Sequence, residues 1–288
     1  MRDPHESPVG AQASRRDDQN LESKRPSPGG FERITVGRAQ ILARVEAVSW
    51  SRQAVLGHGS LYRAARASAN QTLHGRGPVP VLTNPGGVGP PWVVRRYFRG
   101  GFMRAFGDRL LRRGRPRSFV ELENSARIEE LGFSTPRIVA AAVYPSGLLY
   151  RADLVTELVP HARTLADVLF GKNDASGGRS TGDARREALA CTRDLVTRLS
   201  KAGVHHRDLN AENVLIARDT QHVHAVLLDL DGCRVAGPGR PVDAGGLRRR
   251  LARSIRKLER TRPRSQNDGE GHLTNDEIFR LLGEAKAS

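Results

Sequence analysis

Aliphatic residues are scarce and unpatterned at the start of the chain and become periodic only from Ile34. Residues 1 to about 33 carry Pro, Ser, Gly and mixed charge instead. They offer too little apolar surface to offset the entropy of ordering, so the stretch is predicted to be a disordered arm. Apolar positions then recur through ITVGRAQILARVEAV, and SLYRA, PVPVL and WVVRRYF read as strands, punctuated by GRGP and the turn-rich TNPGGVGPP. The spacing predicts a helix from Arg117 to Gly132 with Phe119, Leu122, Ala126 and Leu131 inward. Two short strands, VAAAV and LVTEL, follow. Beyond the polar KNDASGGRSTGD, RREALACTRDLVTRLSKAG predicts a helix with Leu189, Leu195, Val196 and Leu199 on one face and Gly203 as its stop. NVLI and AVLLDL are two more strands, split by ARDTQHVH; the basic helix LRRRLARSIRKL and the short DEIFRLLGEAKA complete the chain. A strand-rich half with one helix, then a helical half holding a short hairpin, gives an α+β, two-lobed expectation: an arm over 1–33, an N-lobe over 34–157 and a C-lobe over 158–288.

Composition narrows the possible partners. A net charge of +16, from 47 Lys plus Arg against 31 Asp plus Glu, concentrates polyanions near the surface: nucleic acid, an anionic membrane face or a phosphorylated substrate. No nucleic-acid partner is expected, because the chain contains neither a recognisable reading module nor an aromatic platform for single strands. Cys191 and Cys233 are the two cysteines, too few for a disulfide framework, which favours a reducing compartment. No run approaches the roughly 20 apolar residues of a spanning helix, and the first residues lack the apolar stretch of a secretory signal. The expectation is a soluble or membrane-peripheral protein.

The chemistry concentrates in HHRDLNAENVLI and VLLDLDG. Phosphoryl transfer to an alcohol needs a carboxylate near the acceptor hydroxyl and oxygen ligands that hold Mg²⁺ on the phosphates. His206, Arg207, Asp208 and, five residues after that Asp, Asn213 match the catalytic-loop pattern of kinases, and Asp229, ending the run VLLD, matches the metal-binding Asp of the DFG position. Asp208 is thus the candidate base, with Asn213 and Asp229 the candidate Mg²⁺ ligands. Asp231 stands in place of the DFG glycine, either supporting a second metal or as a solvated turn carboxylate. Upstream, Arg95 follows Val93 and Val94 as Lys follows in a V-A-I-K strand; it keeps the positive charge but presents a planar fork. Its acidic partner is expected on the next helix at Glu121, with Glu123 as runner-up. Gly75 and Gly77 are candidates for the loop over the phosphates of ATP, and Glu157, in LVTEL, is a further candidate for nucleotide binding.

With these residues in view, the sequence resembles the lipopolysaccharide kinase family, and within it the 3-deoxy-D-manno-octulosonic acid (Kdo) kinases. The likeness runs over roughly residues 72 to 260, through GRGPVPVL, VVRRYFRGGFMRAFGDRLL, FVELE, ELGFSTPRIVAA, DLVTELVPHARTLADVL, HHRDLNAENVLI and LLDLDGCRV to LRRRLARSIRKL. RRYFRGG and DLNAEN, with Asn210 where protein kinases have Lys, discriminate best. The resemblance implies a minimal protein-kinase-like fold and ATP-dependent phosphorylation of a Kdo hydroxyl on a lipid A precursor. It also implies an anionic glycolipid as acceptor and a cytoplasmic protein peripheral to the inner membrane. The sequence departs from the family at Leu230, where an aromatic is usual, at Arg207, where a small residue is common, and in the 171–183 insertion.

Two further readings come from the residues themselves. Between Asp231 and Leu247 there is no Ser, Thr or Tyr, so an activation segment here cannot be switched by phosphorylation. From Arg95 to Arg117, basic residues surround a single acid, Asp108, with Phe98, Phe102, Met103, Phe106, Leu110 and Leu111 interleaved. That pattern suits an anionic leaflet or the phosphates of a glycolipid, or else a solvated basic face over ordinary core contacts.

Overall fold

The structure, a computed structural model, describes residues 29–74, 77–98, 110–111, 114–171, 181–219, 222–237, 239–261 and 275–283. Gly75 and most of the basic stretch after Phe98, including Phe102, Met103 and Phe106, lie outside them, as do residues 172–180 of the insertion.

The first half is built on one antiparallel sheet. Its strands are β1 (Glu32–Val36), β2 (Ala39–Ala43), β3 (Gln71–His74), β4 (Pro78–Leu82), β5 (Trp92–Arg96), β6 (Leu110–Leu111), β7 (Ile138–Ser146) and β8 (Leu149–Glu157). They run β1-β2-β7-β8-β5-β4-β3, with β6 also on β8. The central strand β7 reads as an uninterrupted apolar run because both of its faces are covered. Ala140 and Ala142 face a core shared with helices α1 (Val48–His58) and α2 (Leu61–Ser68). Ala141 and Val143 face the opposite core, which includes Phe119 and Leu122 of α3 (Arg117–Glu130).

Three local readings are corrected here. SLYRA is helical: Ser60 caps α2 by accepting a hydrogen bond from the Arg63 amide, and Leu61, Tyr62, Ala64 and Ala65 are buried at helical spacing. Five residues are too short a window to separate the two periods. Among the described residues this half therefore carries three α-helices where one was expected. Leu131 is 41% exposed, because α3 ends at Glu130 and Ile128 fills the inward place instead. Glu32 and Arg33, assigned to the arm, belong to β1, where they pair with Ala43 and Leu42.

A polar knot lies inside this half. Asp153 of β8 is fully buried. One carboxylate oxygen accepts from the Arg96 Nε at 3.2 Å and the other from the Tyr62 amide at 3.0 Å. Arg96 also donates to the Ser60 hydroxyl at 2.9 Å and lies 4.4 Å over the Tyr62 ring. The start of α2 is thereby bound to β5 and β8.

The second half packs helices α4 (Leu165–Phe170), α5 (Thr181–Lys201), α6 (Ala244–Thr261) and α7 (Asn275–Leu281) around two small sheets. One is β9 (Ala162–Thr164), β11 (Val214–Arg218) and β12 (Val223–Leu227); the other is β10 (Val204–His206) with β13 (Cys233–Val235). Leu189, Leu195, Val196 and Leu199 of α5 are buried, as their spacing predicted, together with Leu247, Leu251 and Ile255 of α6. Among the described residues, no helix is long and apolar enough to cross a membrane.

Candidate active site

The loop around Asp208 is held by its own asparagines. The Asn210 Oδ1 accepts from the amides of Glu212 and Asn213, at 2.9 and 3.1 Å, a local turn that this side chain favours. The main-chain carbonyl of Asp208 accepts from both Asn210 and Asn213 side-chain amides, each at 2.9 Å. Leu209 and Ala211, buried at 2% and 0% exposure, turn inward between these polar residues, and the Ala211 amide donates to the Ser254 hydroxyl of α6 at 3.1 Å.

Strand register brings Asn213 toward Asp229. Val214 pairs with Leu227 in the β11–β12 hairpin, so the residues just outside that pair, Asn213 and Leu228, lie side by side, and the Leu228 amide donates to the Asn213 carbonyl at 3.0 Å. Asp229 comes next, with a left-handed φ of 60°. A single 3-10 turn, Leu230–Gly232, follows it.

His206 lies beneath, wholly buried, its Nε2 2.9 Å from the Leu228 carbonyl. Facing a carbonyl, which only accepts, Nε2 is the protonated nitrogen of the ring. Burial pushes the imidazole down from its ordinary value, outweighing the Leu228 carbonyl and the carboxylates of Asp229, Asp208 and Asp231. The unfolded chain, with an ordinary histidine near 6.5, therefore takes up the proton first as pH falls. Stability attributable to His206 is complete above about pH 6.5 and drains below it, by at most about 1.4 kcal/mol per pH unit. Urea melts between about pH 7.5 and 5.5 should show this loss, with a smaller slope in His206→Gln; equal slopes in both proteins would rule the contribution out.

Above these loops, Arg95 of β5 and Glu121 of α3 form an ion pair, Nη2 to Oε1 at 2.5 Å. The other oxygen of Glu121 accepts from the Tyr97 hydroxyl. Burial disfavours the Arg95 charge, but Glu121 and, more weakly, Asp229 outweigh it and push its pKa up; the guanidinium stays charged. Glu123, the runner-up, points elsewhere and pairs with Arg115 at the surface.

Asp231 is neither solvated nor unpaired. Its side chain is 8% exposed and forms an ion pair with Arg117 at the start of α3. From the same helix, the Asn124 amide donates to the carbonyls of Leu230 and Cys233, at 2.7 and 3.1 Å. Burial, followed by the nearby carboxylates of Glu121, Asp229 and Asp231, pushes the Cys233 thiol up to about 12, which leaves it inert as a nucleophile at neutral pH.

The remaining candidates lie further out. Gly77 lies just before β4, where an added Cβ would stand 3.1 Å from the Phe98 ring just beyond β5. Glu157 ends β8, where its carboxylate accepts from Arg137 at 2.6 Å, and Arg137 also holds Glu46 at 2.7 Å. The sequence reading passed over Tyr97, Arg117 and Asn124 as site residues. Positions 117, 121 and 124 share one helical stripe, and that spacing was the available signal.

Residues 86–269 match the family described as the lipopolysaccharide kinase (Kdo/WaaP) family. A 3-deoxy-D-manno-octulosonic acid kinase of Stenotrophomonas maltophilia (strain K279a) is 32% identical over 185 residues, covering 60% of this chain and 68% of that protein. A protein of the same name from Vibrio cholerae serotype O1 is 33% identical over 189 residues, covering 62% and 74%. A solved structure titled "WaaP in complex with acyl carrier protein" aligns with a TM-score of 0.42 and 16% identity over 80% of this chain and 92% of that one. By the family match and the two relatives, and in keeping with RRYFRGG and DLNAEN, the chain belongs to the lipopolysaccharide kinase (Kdo/WaaP) family.

Proposed function

We propose that this chain transfers the γ-phosphate of ATP, with Mg²⁺, to a hydroxyl of Kdo on a lipid A precursor. The observation that carries the reading is the hydrogen-bonded series from Asp208 through Asn213 to Leu228, the residue before Asp229, together with the Arg95–Glu121 ion pair. In that reading Asp208 orients the acceptor hydroxyl and takes its proton as the oxygen attacks the γ-phosphorus. Arg95, held by Glu121, contacts the α- and β-phosphates, while Gly75 and Gly77 bring backbone amides over them. Glu157, at the end of β8, is a further candidate for nucleotide binding. Asn213 and Asp229 offer hard oxygen donors of the type Mg²⁺ takes alongside phosphate oxygens and water; bound there, the ion neutralises charge on the phosphates.

The acceptor assignment draws on the names of the relatives and on charge. Arg249, Arg253, Arg256, Lys257 and Arg260 are exposed along α6, the helix whose Ser254 holds the catalytic loop at Ala211. Such a face suits an anionic glycolipid at the cytoplasmic side of the inner membrane, each cation near the surface contributing about 1 kcal/mol.

The test is acceptor choice. Incubated with ATP and Mg²⁺, the purified chain should add one phosphate to a Kdo-bearing lipid A precursor and none to the same precursor lacking Kdo, as read by mass spectrometry. Phosphate appearing instead on a protein or on a Kdo-free sugar would replace the acceptor while keeping the kinase.

A further inference from the structure

We infer that Arg117 and Asn124 are positioning residues for Asp229, and that Asp231 is a strut for that carboxylate and not a second metal ligand. The inference rests on the ATP and Mg²⁺ reading above and extends it to residues that no family motif picks out.

The argument starts from helix geometry. Steps of four and three residues return to the same face of an α-helix, so Arg117, Glu121 and Asn124 form one polar stripe on α3. All three leave the helix toward the same region. Glu121 reaches Arg95 of β5 at 2.5 Å. Arg117 pairs with Asp231, and its guanidinium also lies 5.2 Å from the centre of the Tyr97 ring, whose hydroxyl donates to Glu121. Asn124 donates to Leu230 and Cys233, the residues at the two ends of the turn that follows Asp229.

Asp229 is therefore pinned on both sides. The preceding residue, Leu228, is fixed by the Asn213 carbonyl and by His206. The following turn is fixed by α3, through Asn124 at its backbone and Arg117 at Asp231, and at its far end by the pairing of Cys233 with His206 between β13 and β10. In kinases the cation–glutamate pair and the metal-binding Asp must both be in place for turnover. Here a single stripe of one helix holds both, so the two conditions are met together. The Asp in place of the DFG glycine gives Arg117 something to hold. A carboxylate already paired with a guanidinium and 8% exposed is poorly placed to give its charge to a metal.

The experiment measures binding of a non-hydrolysable ATP analogue across Mg²⁺ concentrations, together with kcat. Arg117→Ala and Asn124→Ala should each raise the Mg²⁺ required for half-maximal nucleotide binding by about 10- to 100-fold, the range for residues that orient metal ligands. Nucleotide affinity without Mg²⁺ should stay within about twofold, because no contact to the nucleotide itself is removed. Asp231→Asn should match Arg117→Ala, and the double variant should be no worse than either single, since both remove one interaction. Arg117 is 35% exposed at its side chain, so its substitution spares the core, and Arg117→Lys should recover part of the effect. Mg²⁺ dependence unchanged in Arg117→Ala and Asn124→Ala, or additive losses with Asp231→Asn, would overturn the inference. A wild-type chain that binds no Mg²⁺–nucleotide complex would instead overturn the kinase reading beneath it.

Discussion

Asp208→Asn is expected to lower kcat by about 10²- to 10⁴-fold, the usual contribution of a positioned general base, with little change in KM for the nucleotide. The loop should survive, because its asparagines bind Asp208 through the main-chain carbonyl and leave the side chain out of the scaffold. Asparagine keeps the shape and removes the proton acceptor, so the loss reports chemistry. Steady-state kinetics on the Kdo-bearing acceptor, with a melting curve to establish that the variant is folded, decides the matter. Turnover at the wild-type rate would remove Asp208 from the mechanism.

The largest expected loss of stability is at Asp153, on the strand beside β5. This carboxylate is fully buried and answers the Tyr62 amide and the Arg96 guanidinium. Asp153→Ala removes the buried carboxylate that faces Arg96, whose side chain is 10% exposed, and the acceptor of the Tyr62 amide. Breaking a buried pair from one side costs about 3–5 kcal/mol, which for a domain of this size lowers Tm by something on the order of 10 °C. Differential scanning calorimetry should show that fall. A Tm within a couple of degrees of wild type would mean that water or a rearranged side chain already satisfies Arg96.

The contrast between these two residues shows what the amino-acid order made legible. Asp208 was readable because its neighbours within five positions carry the pattern, and the turn they form is local. Asn213 and Asp229 were readable for a related reason: the apolar runs flanking them are short, bounded by polar residues, and pair as one hairpin. Asp153 was hidden inside the strand DLVTEL, where its neighbours gave no hint of partners at positions 62 and 96. The Arg117–Asp231 pair spans 114 positions, and no periodicity connects two residues across that distance. SLYRA differs again, since β-compatible letters in a five-residue window masked a capped helix that continues from Ala65 to Ser68, beyond that window. Glu121 was legible by analogy with a kinase strand and helix; Arg117 and Asn124 share its helical stripe, but their partners lie more than 100 positions away.

The backbone at position 229 has a further consequence. A left-handed φ of 60° is tolerated at low cost by glycine, asparagine and aspartate and by few other residues. Of those three, only aspartate is ionised at neutral pH. Glutamate would retain the charge and strain the bend; asparagine and glycine would retain the bend and surrender the charge. With Asp229 proposed as a Mg²⁺ ligand, two unrelated demands, one steric and one electrical, select the same amino acid at this position.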